Sequence, residues 1–562
     1  MEQALERRTY ERRRAVTPVL YTTYGAGRYS DAVLSDVCLG GMAFTADKAL
    51  SPGSDICIKT EDRLALNYGC KLLRGLRAEV VWCRPLGEAP GGQYRVGVEY
   101  YEPALTYHDR PWQRCYAPGV PGTIPYEHIL APGFLTRSAR MFPDRKAFVC
   151  NGASLAYGEL DKAVGRLATC LTAFGIQKGD HVAIVLPNVI QAVIGCFAVL
   201  KIGAVAVPCD AAIPDRNLAK LFRDIHVKTL ITLDSSYRRM IALRRECGVR
   251  QIVFVSEKDY ATVGRRIVSR LTARHRRCMG WGKTPENIYM WSRVMSDYSV
   301  NPPNTRLVHQ DQALCLAGRG DRDSPGCMQR ISHGELSLQV QQLAAWFAAE
   351  PREPERILGV VPFHGLFGLL WTVFLPVFHG WQSLLSLFPR EEDLPELIRR
   401  LNPTIVPMAS GSYTRLAGHS AWNDLAAATV TAFIAGQTPL ALETARACVV
   451  KTGAKIIEAY SPGDVFPLTH FQPVKAGVYK VGSIGIPLPD VDCRVVEIGE
   501  GKCDVPIGKT GELIYRGPWR AVGGETGGSP KGVAGEMGKP IWQRSGAMVR
   551  MDEDGFFYRG SP

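Results

Sequence analysis

The sequence predicts a multidomain protein in which a small all-β barrel precedes a large α/β body with a β-rich terminal subdomain. Three observations support this fold class. The chain has 562 residues, too many for one hydrophobic core. Short strands of alternating polarity fill the first hundred residues. From about residue 128, helical patterns alternate with compact apolar strands.

The barrel is predicted over residues 1–104. The segments AEVVWCRP (78–85) and QYRVGVEYYEP (93–103) alternate with period two and are rich in Val, Tyr and Trp. The segments SPGSD (51–55) and GEAPGG (87–92) are typical of turns. Strands of this length separated by turns indicate an all-β unit.

The body is predicted over residues 128–562, after a Pro/Gly-rich linker at 105–127. The segment ELDKAVGRLATCLTAFG (159–175) has helical periodicity, whereas HVAIVLP (181–187) and TLITL (229–233) are compact apolar strands. Strands and helices that take turns predict parallel sheets with crossover helices.

Charge and cysteine usage restrict the class of protein. The net charge of +13 indicates anionic partners such as nucleotides. The basic run at 265–283 is interpreted as a solvated surface, with a membrane-surface contact as the alternative. The 16 cysteines lack the paired spacing of zinc or redox sites, so no metal is expected. Without a secretory leader, the chain is expected to be cytoplasmic with reduced thiols.

Two apolar stretches, 182–207 and 357–387, resemble membrane spans only at first sight. Prolines and polar residues interrupt both, whereas a spanning helix needs about 20 predominantly apolar residues. Each is predicted to be a buried strand followed by a core helix, and no transmembrane segment is expected. No nucleic-acid partner is predicted.

The first candidate site lies in RRTYERRR (7–14). Arg8 and Arg12 are four residues apart, and their guanidinium groups suit bidentate bonds to phosphate and stacking on a purine. Asp36, 24 residues after Arg12, supplies an acceptor for a guanine edge or an arginine, and Gly41 permits a close backbone approach.

This pairing resembles the PilZ family, whose signature is RxxxR followed by D/N-x-S-x-x-G. The resemblance spans about residues 5–104 and implies cyclic di-GMP binding by Arg8, Arg12, Asp36, Cys38 and Gly41. Cys38 stands where the family has serine, and this weaker hydrogen-bonding group is expected to cost about 1 kcal/mol of affinity. A basic segment on a barrel that binds nothing is the alternative.

The body resembles the large domain of acyl-CoA synthetases and other adenylate-forming enzymes. The segments that carry the resemblance occur in the family's order, at 155–188, 361–369, 481–497 and 510–518. The likeness covers about 128–558 and implies the family's fold. It also implies ATP- and Mg²⁺-dependent activation of a carboxylate.

Several positions depart from the family's ATP-handling motifs. The phosphate loop corresponds to RGDRDSPGCMQR (319–330), with Cys327 or Met328 in place of the lysine. Asp464 replaces the magnesium-directing glutamate, and Ala547 replaces the ribose-binding acid. The chain stops at Pro562, where the family's C-terminal lid domain would begin. These departures predict a catalytically degenerate, lid-less domain that does not use ATP or Mg²⁺.

His364 and Tyr460 are the candidate residues of the substrate pocket, which the resemblance assigns to an acyl ligand. A lone histidine beside Phe363 and Phe367 is more often a packed core residue than a catalyst.

The sequence therefore predicts a signalling protein, bacterial by its resemblance. The PilZ domain senses cyclic di-GMP, and a pseudoenzyme body provides the output or an interaction scaffold for a protein partner. Two alternatives remain: a cyclic-di-GMP-regulated, ATP-dependent fatty acid–CoA ligase, and an acyl or acyl-CoA sensor without catalysis.

Overall fold

A computed structural model gives the architecture of most of the chain. It describes residues 13–23, 29–38, 41–60, 76–87, 92–100, 110–260, 286–317, 328–347, 354–387, 390–418, 422, 429–462, 466–498, 505, 507–519, 532–533 and 542–560.

The N-terminal part is a closed barrel with strand order β1-β2-β3-β6-β5-β4. The strands are β1 (Arg13–Thr23), β2 (Ser30–Cys38), β3 (Gly41–Ala46), β4 (Asp55–Thr60), β5 (Leu76–Pro85) and β6 (Tyr94–Tyr100). All neighbours pair antiparallel, and alternate side chains such as Met42 and Phe44 fill the interior. The predicted all-β barrel is confirmed.

The body contains two large sheets and a terminal β-rich part. Its strands are β7 (Lys146–Cys150), β8 (Ala153–Ala156), β9 (His181–Val185), β10 (Val205–Pro208), β11 (Thr229–Leu233), β12 (Gln251–Val255), β13 (Ile288–Met290), β14 (Gln312–Ala317), β15 (Met328–Ser332), β16 (Arg356–Gly359), β17 (Gln382–Leu385), β18 (Ile405–Ala409), β19 (Ala432–Gly436), β20 (Lys455–Glu458), β21 (His470–Phe471), β22 (Ile486–Pro487), β23 (Asp492–Val496), β24 (Gly511–Arg516), β25 (Gly532–Val533), β26 (Trp542–Met551) and β27 (Phe557–Arg559).

Helices connect and cover these strands. They are α1 (Ala131–Met141), α2 (Tyr157–Ala173), α3 (Ile190–Lys201), α4 (Asp215–Asp224), α5 (Tyr237–Cys247), α6 (Trp291–Asp297), α7 (His333–Ala345), α8 (Leu366–Leu369), α9 (Leu375–His379), α10 (Leu394–Leu401), α11 (Ser410–Ala417) and α12 (Leu442–Thr452). A π-helical turn, Leu370–Phe374, joins α8 to α9. Short 3₁₀ turns lie at Pro111–Cys115, Asp234–Ser236 and Glu391–Asp393.

The first sheet has the order β13-β12-β11-β9-β10-β14-β15, and the second β20-β19-β18-β16-β17-β7-β8. Each is parallel except for an antiparallel edge pair, β14 with β15 and β7 with β8. The terminal part has the order β23-β24-β26-β25, with β27 on β26. Parallel sheets with crossover helices and a β-rich end match the predicted α/β body.

Two helices are buried on almost every side, α3 and α7. A helix that is buried all round belongs to the interior of a large domain, and both contribute to one hydrophobic cluster that spans the two sheets. A capping box starts α7: Ser332 Oγ accepts from the Glu335 amide, and the Glu335 carboxylate accepts from the Ser332 amide.

The two apolar stretches form strand–helix units, as predicted. Residues 182–207 span β9, α3 and β10, and residues 357–387 begin in β16 and continue through α8, the π-helical turn and α9 to β17. Within the described ranges, no helix has both the length and the apolar character needed to cross a membrane.

Candidate ligand sites in the barrel and the body

The register of β1 and β2 brings the two halves of the N-terminal motif to the same end of the barrel. Arg13 lies opposite Val37, and Arg14 lies opposite Asp36. Gly41 opens the next strand, opposite Cys38. Thus the last two residues of the arginine-rich segment lie on the strand next to Asp36 and Val37, although they are distant from them in sequence.

Three of the predicted ligand residues are incompletely described. Arg8 and Arg12 lie outside the described residues, and for Cys38 the backbone alone is described. Their part in cyclic di-GMP binding stays a prediction.

Asp36 pairs with an arginine that sequence reasoning missed. Its Oδ2 accepts a 2.9 Å hydrogen bond from Arg95 Nη2 on β6. The Asp36 side chain is 14% exposed and that of Arg95 is 47% exposed. A guanidinium carries five N–H donors, so Arg95 can hold Asp36 and still present donors to an anion. The signal in the sequence was a charged residue at an outward position of YRVGVEY.

Gly41 has a packing reason to be glycine. A Cβ at this position would lie 2.2 Å from the carbonyl oxygen of Val98 on β6. Because this clash would be with backbone, the rotation of a side chain could not relieve it. The close approach predicted for Gly41 therefore exists within the barrel itself.

In the body, three connections meet at the carboxyl edge of the second sheet. They follow β16, β19 and β20, which are parallel members of that sheet. The Phe367 ring covers Gly436, where a Cβ would lie 2.4 Å from Cε2. A Cβ at Gly365 would lie 3.5 Å from the Gln437 side-chain amide. Ligands of open α/β sheets bind in crevices at this edge.

Asn188 ties the two sheets together at the same edge. Its Nδ2 donates to the carbonyls of Gly359 (3.0 Å) and Val361 (2.7 Å), and its Oδ1 accepts from the Phe363 amide at 3.1 Å. Every one of these contacts is buried, so Asn188 fixes the backbone that leads into His364. An asparagine in an otherwise apolar run was the available sequence signal.

His364 and Tyr460 follow two different strands of the second sheet. His364 follows β16 and Tyr460 follows β20, with β18 and β19 between those strands. At about 4.8 Å per strand, the two strands are about 14 Å apart. Burial lowers the pKa of His364, which Asp210 partly opposes.

Tyr460 is enclosed by an aromatic ring and a cation. Its ring lies 5.4 Å from that of His470, and the Arg559 guanidinium lies 5.2 Å from its centroid. The hydroxyl is desolvated, and burial raises the pKa of Tyr460. These contacts fix the ring of Tyr460 rather than leaving it to move with solvent.

Glu458, two residues before Tyr460, was not recognised from the sequence. Its carboxylate is 9% exposed and accepts a hydrogen bond from Arg559 Nη2. Burial raises the pKa of Glu458 to about 7, and Arg559 opposes that rise. The sequence signal was an acid at the end of the buried strand KIIE.

The register of β26 against β24 shifts at Ser545, Gly546 and Ala547, which form a bulged segment of the strand. Gly546 has a φ of +68° and its amide donates to Glu512 Oε1 at 3.2 Å. Ser545 Oγ donates to the Leu513 carbonyl at 2.7 Å and accepts from the Ala547 amide at 3.0 Å. The residue that the resemblance aligns with the ribose-binding acid therefore lies in a hydrogen-bonded bulge and has a methyl side chain.

Two described carboxylates of the body are paired with arginines. Glu458 is engaged by Arg559, and Glu512 accepts a 3.0 Å hydrogen bond from Arg544 Nε. Cys327 and Asp464 lie outside the described residues. Among those described, no cluster of three or more metal-ligating side chains occurs.

Comparison with known proteins connects these sites to families. The model of the AMP-binding enzyme family matches residues 135–285 and 326–523, and that of the PilZ domain matches residues 6–111. A long-chain-fatty-acid–CoA ligase of Bacillus subtilis (strain 168) is 29% identical over 454 residues, which cover 80% of this chain and 79% of the relative. The ligase of that name from Escherichia coli O6:H1 is 23% identical over 79% of both chains.

Solved structures share the fold of the body. A benzoate CoA ligase from Burkholderia xenovorans LB400 gives a TM-score of 0.62 at 15% identity, over 77% of this chain and 79% of its own. ATP-bound MatB from Rhodopseudomonas palustris gives 0.61 at 20% identity, over 77% and 78%. The family match covers more than half of the residues, so the chain belongs to the AMP-binding enzyme family and carries a PilZ domain ahead of its acyl-CoA ligase-like domain.

Proposed function

We propose that this protein is a cyclic-di-GMP-binding signalling protein in which the AMP-binding domain is a non-adenylating output module. The observation that carries the proposal is the register of β1 and β2. It places Arg14, at the end of the arginine-rich segment, opposite Asp36. Asp36 in turn holds the half-exposed Arg95.

A cyclic dinucleotide suits this end of the barrel. Its two phosphates require cationic donors, which Arg8, Arg12 and Arg95 can supply as bidentate forks. Its guanine edges require an acceptor for their N–H groups, and Asp36 has the acceptor chemistry for that role. The ligand would thereby draw the arginine segment onto the barrel surface.

The absence of adenylation is proposed from the bulged segment of β26 at residues 545–547. Stabilising an adenylate needs groups fixed where charge and hydroxyls are held. This segment offers the Ala547 methyl at the position that the family resemblance assigns to an acid. Glu512, which accepts from the Gly546 amide, is paired with Arg544, and Glu458 is paired with Arg559.

The second candidate is a cyclic-di-GMP-regulated acyl–CoA ligase. The favouring observation is the identity of 29% with a long-chain-fatty-acid–CoA ligase over 80% of this chain. That function requires ATP·Mg²⁺ binding and release of pyrophosphate in the presence of a carboxylic acid. An acyl sensor without catalysis would instead be stabilised by fatty acids in the absence of ATP.

Calorimetric titration of cyclic di-GMP into the full chain tests the sensor. Micromolar binding is expected for the wild type. Arg12→Ala removes a charge-assisted pair worth about 1.5–3 kcal/mol, so affinity should fall about 10- to 150-fold.

Lys48→Ala is the matched control because Lys48 is exposed beyond the other end of β3. It removes a positive charge of the barrel away from Asp36 and Gly41, and affinity should stay within a factor of two to three at moderate salt. Equal losses in Arg12→Ala and Lys48→Ala would mean that net charge, not the motif, attracts the ligand. Silence in the wild type would refute the sensor.

A further inference from the structure

The described part of the predicted linker, residues 110–127, is packed on the body; we call it the strap. Arg110 Nη2 lies 2.5 Å from Asp492 Oδ1, and both side chains are about one tenth exposed. Tyr116 donates from its hydroxyl to the Pro487 carbonyl at 2.8 Å, and the Ile124 amide donates to Asp490 Oδ2 at 3.0 Å. The strap is thus held along β22, β23 and the residues between them by buried and partly buried polar contacts.

Trp112 anchors the strap to β27. It is 3% exposed, and its ring lies 6.2 Å from that of Phe557 in an edge-on arrangement. Gly555, in the turn before β27, has a φ of +84°, and a Cβ there would lie 2.5 Å from the Trp112 amide nitrogen. The turn before β27 is therefore shaped around the backbone of Trp112.

From Trp112, a continuous row of rings leads to Tyr460. The Phe557 ring lies 4.7 Å from that of His470, which lies 5.4 Å from that of Tyr460. A second connection uses the same strand, because Arg559 on β27 pairs with Glu458 and lies over Tyr460. Protein interiors are close-packed, so a buried ring that shifts also displaces the side chains that contact it.

The ion pairs of the strap are arranged so that Arg110 can leave Asp492 at a reduced cost. Arg516 Nε also lies 3.0 Å from Asp492, on its other oxygen. Loss of one partner usually leaves a buried charge uncompensated, which is strongly unfavourable. Here Arg516 keeps the Asp492 carboxylate paired when Arg110 moves. The free-energy difference between the strap with Arg110 on Asp492 and the strap with Arg110 released is then smaller than it would be if Arg110 were the sole partner of Asp492.

We propose that the strap transmits ligand binding at the barrel to Tyr460, a predicted residue of the substrate pocket, through the row of rings Trp112–Phe557–His470. The inference rests on the proposed function, since cyclic di-GMP is the signal. Strand β6 ends at Tyr100 and the strap begins at Arg110, so few residues separate the ligand-binding barrel from the first contact with the body. The ligand reaches the strap through β6: Arg95 on this strand pairs with Asp36 at the proposed ligand site, and the strand leads into the strap. Binding that favours one position of β6 therefore shifts the population of strap positions.

Hydrogen–deuterium exchange of the full chain tests this coupling. Saturating cyclic di-GMP should change exchange at least threefold in peptides from 110–127 and from 455–471, and leave 229–255 unchanged. Trp112→Leu breaks the row of rings, so it should keep nucleotide affinity and abolish the response at 455–471. Tyr116→Phe is the matched control, because it removes a hydroxyl from the same strap and leaves Trp112 on Phe557.

Exchange measured without nucleotide distinguishes the proposal on the strap from the proposal that the barrel senses cyclic di-GMP. Trp112→Leu alone should raise exchange at 455–471, whereas Tyr116→Phe should not; no difference between them overturns the inference. Wild-type binding of cyclic di-GMP without a response at 455–471 also overturns it and leaves the sensor intact. Absence of calorimetric binding refutes the sensor and, with it, regulation by this nucleotide. If Trp112→Leu does not fold, Arg110→Gln takes its place in both arms, with and without nucleotide, because it removes the ion pair of the strap with Asp492 without opening the core.

Discussion

Replacement of Glu458 by glutamine should make the body more stable at alkaline pH. Burial raises the pKa of Glu458 to about 7, against an ordinary value of 4.5. A carboxyl whose pKa is higher in the folded state binds its proton more tightly there. It therefore favours folding at low pH, and that contribution is lost as pH rises from 4.5 to 7.

The magnitude follows from the two pKa values. Ionisation of Glu458 in the folded state should remove about 2–3 kcal/mol of stability between pH 5 and pH 8. In Glu458→Gln, this part of the pH dependence disappears. Arg559 then loses its carboxylate partner, but its side chain is one third exposed and can be hydrated.

Urea unfolding at pH 5 and pH 8, followed by tryptophan fluorescence, measures the effect as the change in free energy of unfolding. Glu512→Gln is the matched control, because hydrogen bonding to Arg544 lowers the pKa of Glu512. Its contribution is present above the ordinary pKa and is lost at lower pH, so the control should be destabilised at pH 8. If Glu458→Gln lost as much stability at pH 8 as Glu512→Gln, the ion pair would outweigh desolvation and the reasoning would be wrong.

Three further predictions concern other contacts. Arg110→Gln should lower the free energy of unfolding by about 1–2 kcal/mol, because Arg516 remains paired with Asp492. This is less than the roughly 3–5 kcal/mol typical of a broken buried pair. A loss above about 4 kcal/mol in urea unfolding would contradict this prediction. Asp36→Asn should weaken cyclic di-GMP binding about 3- to 30-fold in calorimetry without unfolding the barrel, and unchanged affinity would remove Asp36 from the site. Burial lowers the pKa of His333 to about 4, so the stability of the protein should fall as the pH drops from 6.5 towards 4. In thermal scans, His333→Gln should reduce this loss of stability by up to about 3 kcal/mol. An unchanged dependence of stability on pH would contradict the role given to His333.

The fold was predictable because its signals are local. Period-two strands and helical repeats reveal burial on one face, and such patterns predicted both the barrel and the α/β body. Arg14 lies opposite Asp36, whereas Arg8 and Arg12, which carry the family signature, lie outside the described residues, so their meeting with Asp36 stays a prediction. Catalytic degeneracy also stays a prediction, as Cys327 and Asp464 lie outside the described residues.

The pairing of distant residues could not be predicted from local patterns. Glu458 and Arg559 are 101 residues apart, and Tyr116 bonds to a carbonyl 371 residues away. Nothing in the local periodicity of a Pro/Gly-rich segment indicates that Trp112 becomes a buried anchor. Only the folded structure shows that two rings, those of Phe557 and His470, connect Trp112 to Tyr460.

Pyrophosphate release tests the central claim most directly. The full chain would be incubated with ATP·Mg²⁺, CoA and a series of fatty and aromatic acids, with and without saturating cyclic di-GMP. The account predicts that cyclic di-GMP binds and that no acid raises pyrophosphate release above the level without enzyme. Acid-dependent release that cyclic di-GMP stimulates or suppresses would contradict the account and establish a regulated acyl-activating enzyme.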